Sequence, residues 1–293
     1  EIDPHAITIA EDVSGMPGLG AKPAEGGCGF DFRLAMGVPD HWFKLVNDTR
    51  DEDWHLGTLW HQLVDRRQDE RTISYVESHD QSIVGGKTLI FEMADAAMYE
   101  HMRRDDQHPS VDRAIALFKM ARLATLATAG HGYLNFIGNE FGHPEWVDFP
   151  REGNNWSYHH ARRQWSLRDH PELKYSQLAA FDEACLTLIK EYHCFDHGPW
   201  QRYLHEDDKI LVFSRGDLWF FFNFHPEQSH PDYPIPVDAG SYHLVLDCDH
   251  ASYAGHGRLQ PDQSFVAALN DDDVSHLKVY LPNRSALVLR KQP

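Results

Sequence analysis

The sequence predicts an α/β fold built on a parallel sheet, followed by a smaller all-β domain. Three observations carry this. Short apolar runs at residues 6–10, 71–76 and 133–137 are separated by helical segments, the order of βαβ units. Each run passes into a loop that carries acids: Glu11, then Glu77 and Asp80, then Glu140. Beyond Trp200 the hydrophobic period changes to two, as in antiparallel strands.

Taken in order, Ala6-Ile7-Thr8-Ile9-Ala10 is nearly continuous in apolar character, as a strand covered on both faces would be. It ends at Glu11-Asp12-Val13-Ser14-Gly15. Met16-Pro17-Gly18 and Gly26-Gly27-Cys28-Gly29 punctuate a loop. Residues 30–36 predict a second strand or a strand-to-helix transition. Pro39 then opens a helix over 40–46 that turns Trp42, Phe43, Leu45 and Val46 toward a core.

Arg71-Thr72-Ile73-Ser74-Tyr75-Val76 is the third strand, and Glu77-Ser78-His79-Asp80-Gln81 its loop. Gly85-Gly86-Lys87-Thr88 has the end of a phosphate loop, but Gln81 stands where the motif needs glycine, so that reading fails. Ser110 is the expected N-cap of a helix whose broad apolar face holds Ile115, Leu117, Phe118, Met120, Leu123 and Leu126. The fourth strand, 133–137, leads into Gly138-Asn139-Glu140-Phe141-Gly142-His143-Pro144-Glu145-Trp146. A helix over 173–192 closes the first domain, 1–198. In the second, 199–293, Arg215-Gly216-Asp217 joins two strands as a hairpin, and runs at 242–246, 277–281 and 286–289 complete a sandwich. Parallel strands that all end in acids at one edge predict a catalytic cluster there.

Composition limits the partners. With 27 Lys+Arg against 45 Asp+Glu the formal charge is −18, which repels nucleic acid and anionic membranes but leaves a neutral sugar polymer indifferent. The longest apolar run, Leu218-Trp219-Phe220-Phe221-Phe222, has strand length, so no membrane span is expected. The first residues form no signal peptide and lack an initiator Met, which suggests a chain that begins inside a larger protein. Cys28, Cys185, Cys194 and Cys248 form no C-x-x-C pair and read as reduced thiols of a cytoplasmic protein. No histidine pair has a zinc-motif spacing, and Asn270-Asp271-Asp272-Asp273 lacks the alternation of a calcium loop. Neither a metal nor a cofactor is therefore expected.

Ala10-Glu11-Asp12-Val13-Ser14-Gly15 and Glu77-Ser78-His79-Asp80-Gln81 resemble two active-site segments of the α-amylase superfamily. Asn135 through Trp146, Asn154-Asn155 and Ala161-Arg162-Arg163-Gln164 resemble segments of its eukaryotic-like 1,4-α-glucan branching enzymes. The resemblance covers residue 6 to the C-terminus. It implies the C-terminal half of a (β/α)₈ TIM barrel followed by the all-β domain, with an α-1,4-glucan (glycogen, amylose or starch) as partner. It also implies roles: Glu11 as general acid/base, Asp80 as transition-state stabiliser and His79 as a substrate-binding residue. Glu140 and Trp146 are further substrate-binding candidates, with Trp156 and Tyr158 as aromatic platforms. Glu77 and Glu140 could equally orient the loops, and each aromatic could equally pack in a core; Asp12 reads as structural.

The family's nucleophilic aspartate belongs to a G-F-R-x-D segment before Glu11, and none is present; Gly29-Phe30-Asp31-Phe32-Arg33 is another motif in another place. The first four barrel strands are likewise absent. The chain alone is accordingly expected to be inactive, with the N-terminal half of the barrel as its missing partner. The alternatives are an amylase-type hydrolase or debranching enzyme, and a non-catalytic glucan-binding fragment.

Overall fold

The computed structural model describes residues 3, 5–83, 85–269 and 273–292. The acidic run at 270–273 therefore lies outside the described residues except for Asp273. Four strands, β1 (Ile9–Ala10), β2 (Phe32–Leu34), β3 (Thr72–Ser74) and β4 (Gly132–Tyr133), form a parallel sheet in sequence order. Register pairs Ala10 with Arg33, Arg33 with Thr72, and Ile73 with Gly132. Eight helices accompany the sheet: α1 (Gly37–Asp48), α2 (Leu56–Val64), α3 (His79–Ser82), α4 (Leu89–Ala94), α5 (Ala97–Glu100), α6 (Pro109–Thr128), α7 (Trp165–Asp169) and α8 (Tyr175–Glu191).

The strands are shorter than their apolar runs. After β4, Leu134 N–H still bonds Ser74 O at 3.0 Å, but β3 then turns into its loop. Among the described residues β4 is the last strand of the sheet, and no strand pairs with its other side. Gly138 then reverses the chain at φ +95°; a Cβ there would also meet Arg163 Nε at 2.7 Å. Ser110 is not the cap of α6. The helix starts one residue earlier with Pro109 in its first turn, where proline's missing N–H costs nothing.

α6 is buried on almost every side, which its sequence shows as an apolar surface too broad for a one-sided helix. It packs between the parallel sheet's other helices and a β-sandwich. The sandwich comprises β5 (Trp200–His205), β6 (Ile210–Arg215), β7 (Leu218–Asn223), β8 (His230–Pro236), β9 (Ser241–Asp247), β10 (Ser264–Val266), β11 (Ala268–Leu269), β12 (Ser275–Leu281) and β13 (Ser285–Lys291). Its larger sheet has the order β10-β9-β13-β7-β6-β5 and its smaller one β11-β12-β8.

The central strands of the larger sheet, β6 and β7, are covered on both faces. Phe213, Phe220 and Phe222 join the core that includes α6, while Val212, Trp219 and Phe221 meet the smaller sheet. This explains the unbroken apolar run at 218–222: alternation vanishes where neither face meets water. Polar ties reinforce the junction. Glu206 accepts the Leu56 and Gly57 N–H groups at 2.8 and 2.7 Å, capping α2 from the sandwich. Arg215 donates to Ala127 O and Ala129 O, both at 2.8 Å, and so satisfies carbonyls at the end of α6. Buried Lys119 donates to Tyr253 O at 2.7 Å. Among the described residues, no helix is long and apolar enough to cross a membrane.

Candidate active site

Parallel strands place their C-terminal ends at one edge, so the residues after β1, β2, β3 and β4 gather there. After β3 the chain enters α3 through a capping box. Ser78 N–H donates to Gln81 Oε1 at 2.8 Å, and Asp80 N–H donates to Ser78 Oγ at 3.3 Å. The box fixes His79 and Asp80 in the first turn, with both side chains open to solvent. His79 Nε2 lies 3.1 Å from Asp80 Oδ1.

Tyr75, the residue after β3, is buried. Burial pushes its phenol pKa well up, and the charges of Asp80, Asp40 and Glu11 push it further in the same direction. Carboxylates from the segments after β3, β2 and β1 thus all act on one buried phenol. Glu11 is exposed and makes no hydrogen bond or ion pair among the described residues. Its neighbour Asp12 is engaged instead. Hydrogen bonds from Ser14, aided by Arg33 at 3.3 Å, hold its carboxyl below the usual range. Two adjacent acids therefore differ in kind, one holding the loop and one presented by it.

Glu77 takes a third position. Its side chain is buried, its Oε2 accepts Leu89 N–H at 2.8 Å, and its Oε1 has no hydrogen-bond partner among the described residues. Burial raises its pKa to about 7, against the opposing pull of the Leu89 N–H, Arg122 and Arg163. It ties the segment after β3 to the start of α4 and does not face solvent.

His79 also lines a cavity of about 410 Å³ with Phe136, Ile137, Val147, Phe149 and Arg162. The wall is largely apolar, with His79 and Phe136 rings 6.2 Å apart. Buried Arg163 fixes it from behind, donating to Ile137 O and Glu145 O at 2.8 Å each. His143, held neutral with its pKa lowered to about 4 by burial and by Arg163, accepts Gln164 N–H at 3.2 Å.

The parallel order brings Glu11, His79 and Asp80 to one edge, whereas Glu140 and Trp146 follow β4 and do not line the His79 cavity. Glu140 curls back to accept Gly138 N–H at 2.7 Å. It opens onto a separate hollow of about 810 Å³ that it shares with Asn135, Trp165, Asp182 and Lys190. Trp146 stacks on His160 at 4.4 Å, while its neighbour Val147 forms the wall of the His79 cavity. Trp156 is exposed at the tip of a loop in which Asn155 and Trp156 both adopt left-handed backbone, φ 54° and 57°. Such strain at an exposed aromatic is a feature of ligand-contacting loops.

Sequence reasoning passed over Asp40 and Tyr75. Asp40 is detectable by the same strand-then-acid rule applied to the segment after β2. The joint influence of three carboxylates on Tyr75 has no local signal, because they come from three different segments.

Residues 200–292 match the family model described as the alpha amylase C-terminal all-beta domain. The whole chain is similar to curated 1,4-alpha-glucan-branching enzymes. It is 48% identical to that of Rhizophagus irregularis, over 98% of this chain and 43% of that protein. With that of Dictyostelium discoideum it shares 47% identity over 99% and 44%, and with that of Felis catus 48% over 98% and 42%. The chain thus spans less than half the length of these relatives. Among solved structures, the fold is similar to the α-amylase of Geobacillus thermoleovorans complexed with acarbose. There the TM-score is 0.58 at 13% identity, covering 98% of this chain and 53% of that one. It is also similar to the γ-CGTase of Bacillus clarkii, with TM-score 0.57 at 11% identity over 98% and 36%.

Proposed function

Because the chain belongs to the 1,4-α-glucan-branching enzymes of the α-amylase superfamily, matching their C-terminal portion, we propose that it supplies half of a branching active site. In that reading the complete enzyme cleaves an α-1,4-glucan and transfers the released chain to a glucose 6-hydroxyl, with retention of configuration. The observation that carries it is the parallel order β1-β2-β3-β4, which brings the segments holding Glu11 and His79-Asp80 to one C-terminal edge.

A retaining displacement needs a nucleophilic carboxylate about 5–5.5 Å from an acid/base carboxyl. Glu11, unencumbered by bonds to its own loop, protonates the leaving glycosidic oxygen and then takes the proton of the acceptor hydroxyl. Asp80, pinned by the Ser78 cap, accepts sugar hydroxyl bonds that strengthen as positive charge develops on the ring. His79 holds the same sugar beside the apolar cavity, whose wall disfavours water as acceptor. Glu140 and Trp146 contact the glucan farther along, with the hollow beside Glu140 and the His160-backed face of Trp146 as their surfaces.

The nucleophile and the remaining four strands belong to a polypeptide segment outside these 293 residues, and the boundary between barrel half and β domain falls at 198/199. Two open edges on the four-stranded sheet, at β1 and β4, support this. Four free thiols fit a reducing compartment, the cytoplasm, where the polymer substrate would be met.

Incubation of the complete enzyme with amylose tests the reading. Loss of iodine staining with few new reducing ends is the expected result; abundant reducing ends would assign it to the hydrolases instead. The 293-residue chain alone should show neither.

A further inference from the structure

We propose that Glu145, His159 and His160 form a zinc site joining the segment after β4 to the loop before α7. The three residues each bring one ligand atom to within 4.8 Å of the other two. The pair at its centre is nearly in place. His160 Nδ1 is shielded from water and, among the described residues, has no hydrogen-bond partner. It lies 3.4 Å from Glu145 Oε2, an ion pair when the imidazole is protonated and not a hydrogen bond. Two donors held at 2.0–2.1 Å by one tetrahedral zinc ion stand about 3.4 Å apart, so the spacing matches one edge of the coordination shell.

The scaffold behind the pair is rigid. Asp148 N–H donates to His160 O at 3.0 Å, Arg163 donates to Glu145 O at 2.8 Å, and Val147 N–H donates to Ser82 O at 2.7 Å. Trp146 stacks on His160 at 4.4 Å with ring planes 22° apart, which fixes the plane of the imidazole and shields it on one face. The exposed His159 ring stands nearly perpendicular to His160, 4.6 Å away, and needs only a side-chain rotation to close the triangle. The fourth position is left to water.

Two imidazoles and one carboxylate are a donor set for zinc, while magnesium and calcium prefer shells of oxygen alone. The site escapes motif searches because an adjacent histidine pair and a distant glutamate match no standard spacing. Bound zinc would also stiffen Val147 and Phe149, which wall the His79 cavity.

Titration of the metal-free chain with zinc, by calorimetry and by the visible absorption of cobalt as a tetrahedral reporter, tests this. One equivalent should bind, unaffected by millimolar magnesium or calcium. H160A, E145Q and H159A should each weaken it at least tenfold, while H61A leaves it unchanged, all with wild-type circular dichroism. Binding should also alter tryptophan fluorescence, and W146F should remove most of that change. Zinc uptake that is equal in the H159A/H160A/E145Q triple variant, or spread weakly over several equivalents, would overturn the site.

Discussion

Arg284, in the turn before β13, donates to the Asp51 carboxylate at 2.7 Å, and Arg113 of α6 donates to the same group at 2.8 Å. One buried acid therefore joins the helical layer to the sandwich. Burial alone would raise its pKa, but the two guanidiniums outweigh that and hold it below its ordinary value. Asp51→Asn removes the charge while keeping the shape, and leaves both arginines without their counter-ion. Loss of such a partner costs on the order of 3 kcal/mol. Urea unfolding at pH 7 should show a lower midpoint. Because a depressed carboxyl pKa stabilises only while the group is ionised, the difference from wild type should shrink as pH falls below about 4.

Glu77 gives the opposite sign. Its folded pKa is raised to about 7, so the native state holds the proton more tightly than the unfolded chain. Its contribution is intact at low pH and is lost as pH rises from the ordinary glutamate range through about 7. Glu77→Gln, which retains an acceptor for Leu89 N–H, should therefore stabilise the protein relative to wild type at pH 8 and lose that advantage by pH 5. The full swing is at most about 3 kcal/mol. Thermal unfolding of both proteins across that range would measure it; a constant difference would show that Glu77 is ionised throughout.

In the complete enzyme, Glu11→Gln should reduce branching by 10² to 10⁴-fold, the usual worth of a positioned acid/base. Asp12→Asn alters the anchoring of the loop and not its reacting group, so its effect should be much smaller. Iodine staining of amylose would separate the two. Equal losses would mean that Glu11 acts only through loop structure.

Arg215 satisfies two carbonyls at the end of α6 and one at His197, the last at 2.8 Å. Arg215→Met keeps much of the stem but leaves these acceptors unpaired in a buried place. Each orphaned group costs about 1–3 kcal/mol. A lower unfolding midpoint together with faster amide exchange at 127–130 is expected, whereas exchange changes confined to the sandwich would contradict the assignment.

Where the fold was readable from sequence, one local rule sufficed. Apolar runs located the parallel strands, and the hairpin around Gly216 followed from its flanking β-rich segments. The lengths of the parallel strands were not readable, because pairing depends on a neighbour: residues 135–137 are as strand-like as Tyr133 but lie at an open edge. Nor could periodicity find the start of α6, where Pro109 competes with Ser110, a more usual cap. At the site, the segments holding Glu11, His79 and Asp80 were legible as strand ends. The position of Glu140 and Trp146 outside the lining of the His79 cavity was not. It depends on Gly138 and Gly142, whose left-handed turns send the chain in a direction that no side-chain pattern records.

The sheet that carries Phe213, Phe220 and Phe222 on one face and Val212, Trp219 and Phe221 on the other is a wall shared by two rooms. Its consequence is for recombination. A β domain taken from a relative and grafted at residue 199 would bring its own set of aromatics to a surface shaped by this α6. Chimeras should tolerate exchange of the smaller sheet, β8, β11 and β12, far better than exchange of β6 or β7. The evolutionary unit that can drift freely is then only the outer leaf of the sandwich. Its inner leaf must change in step with the helices it covers.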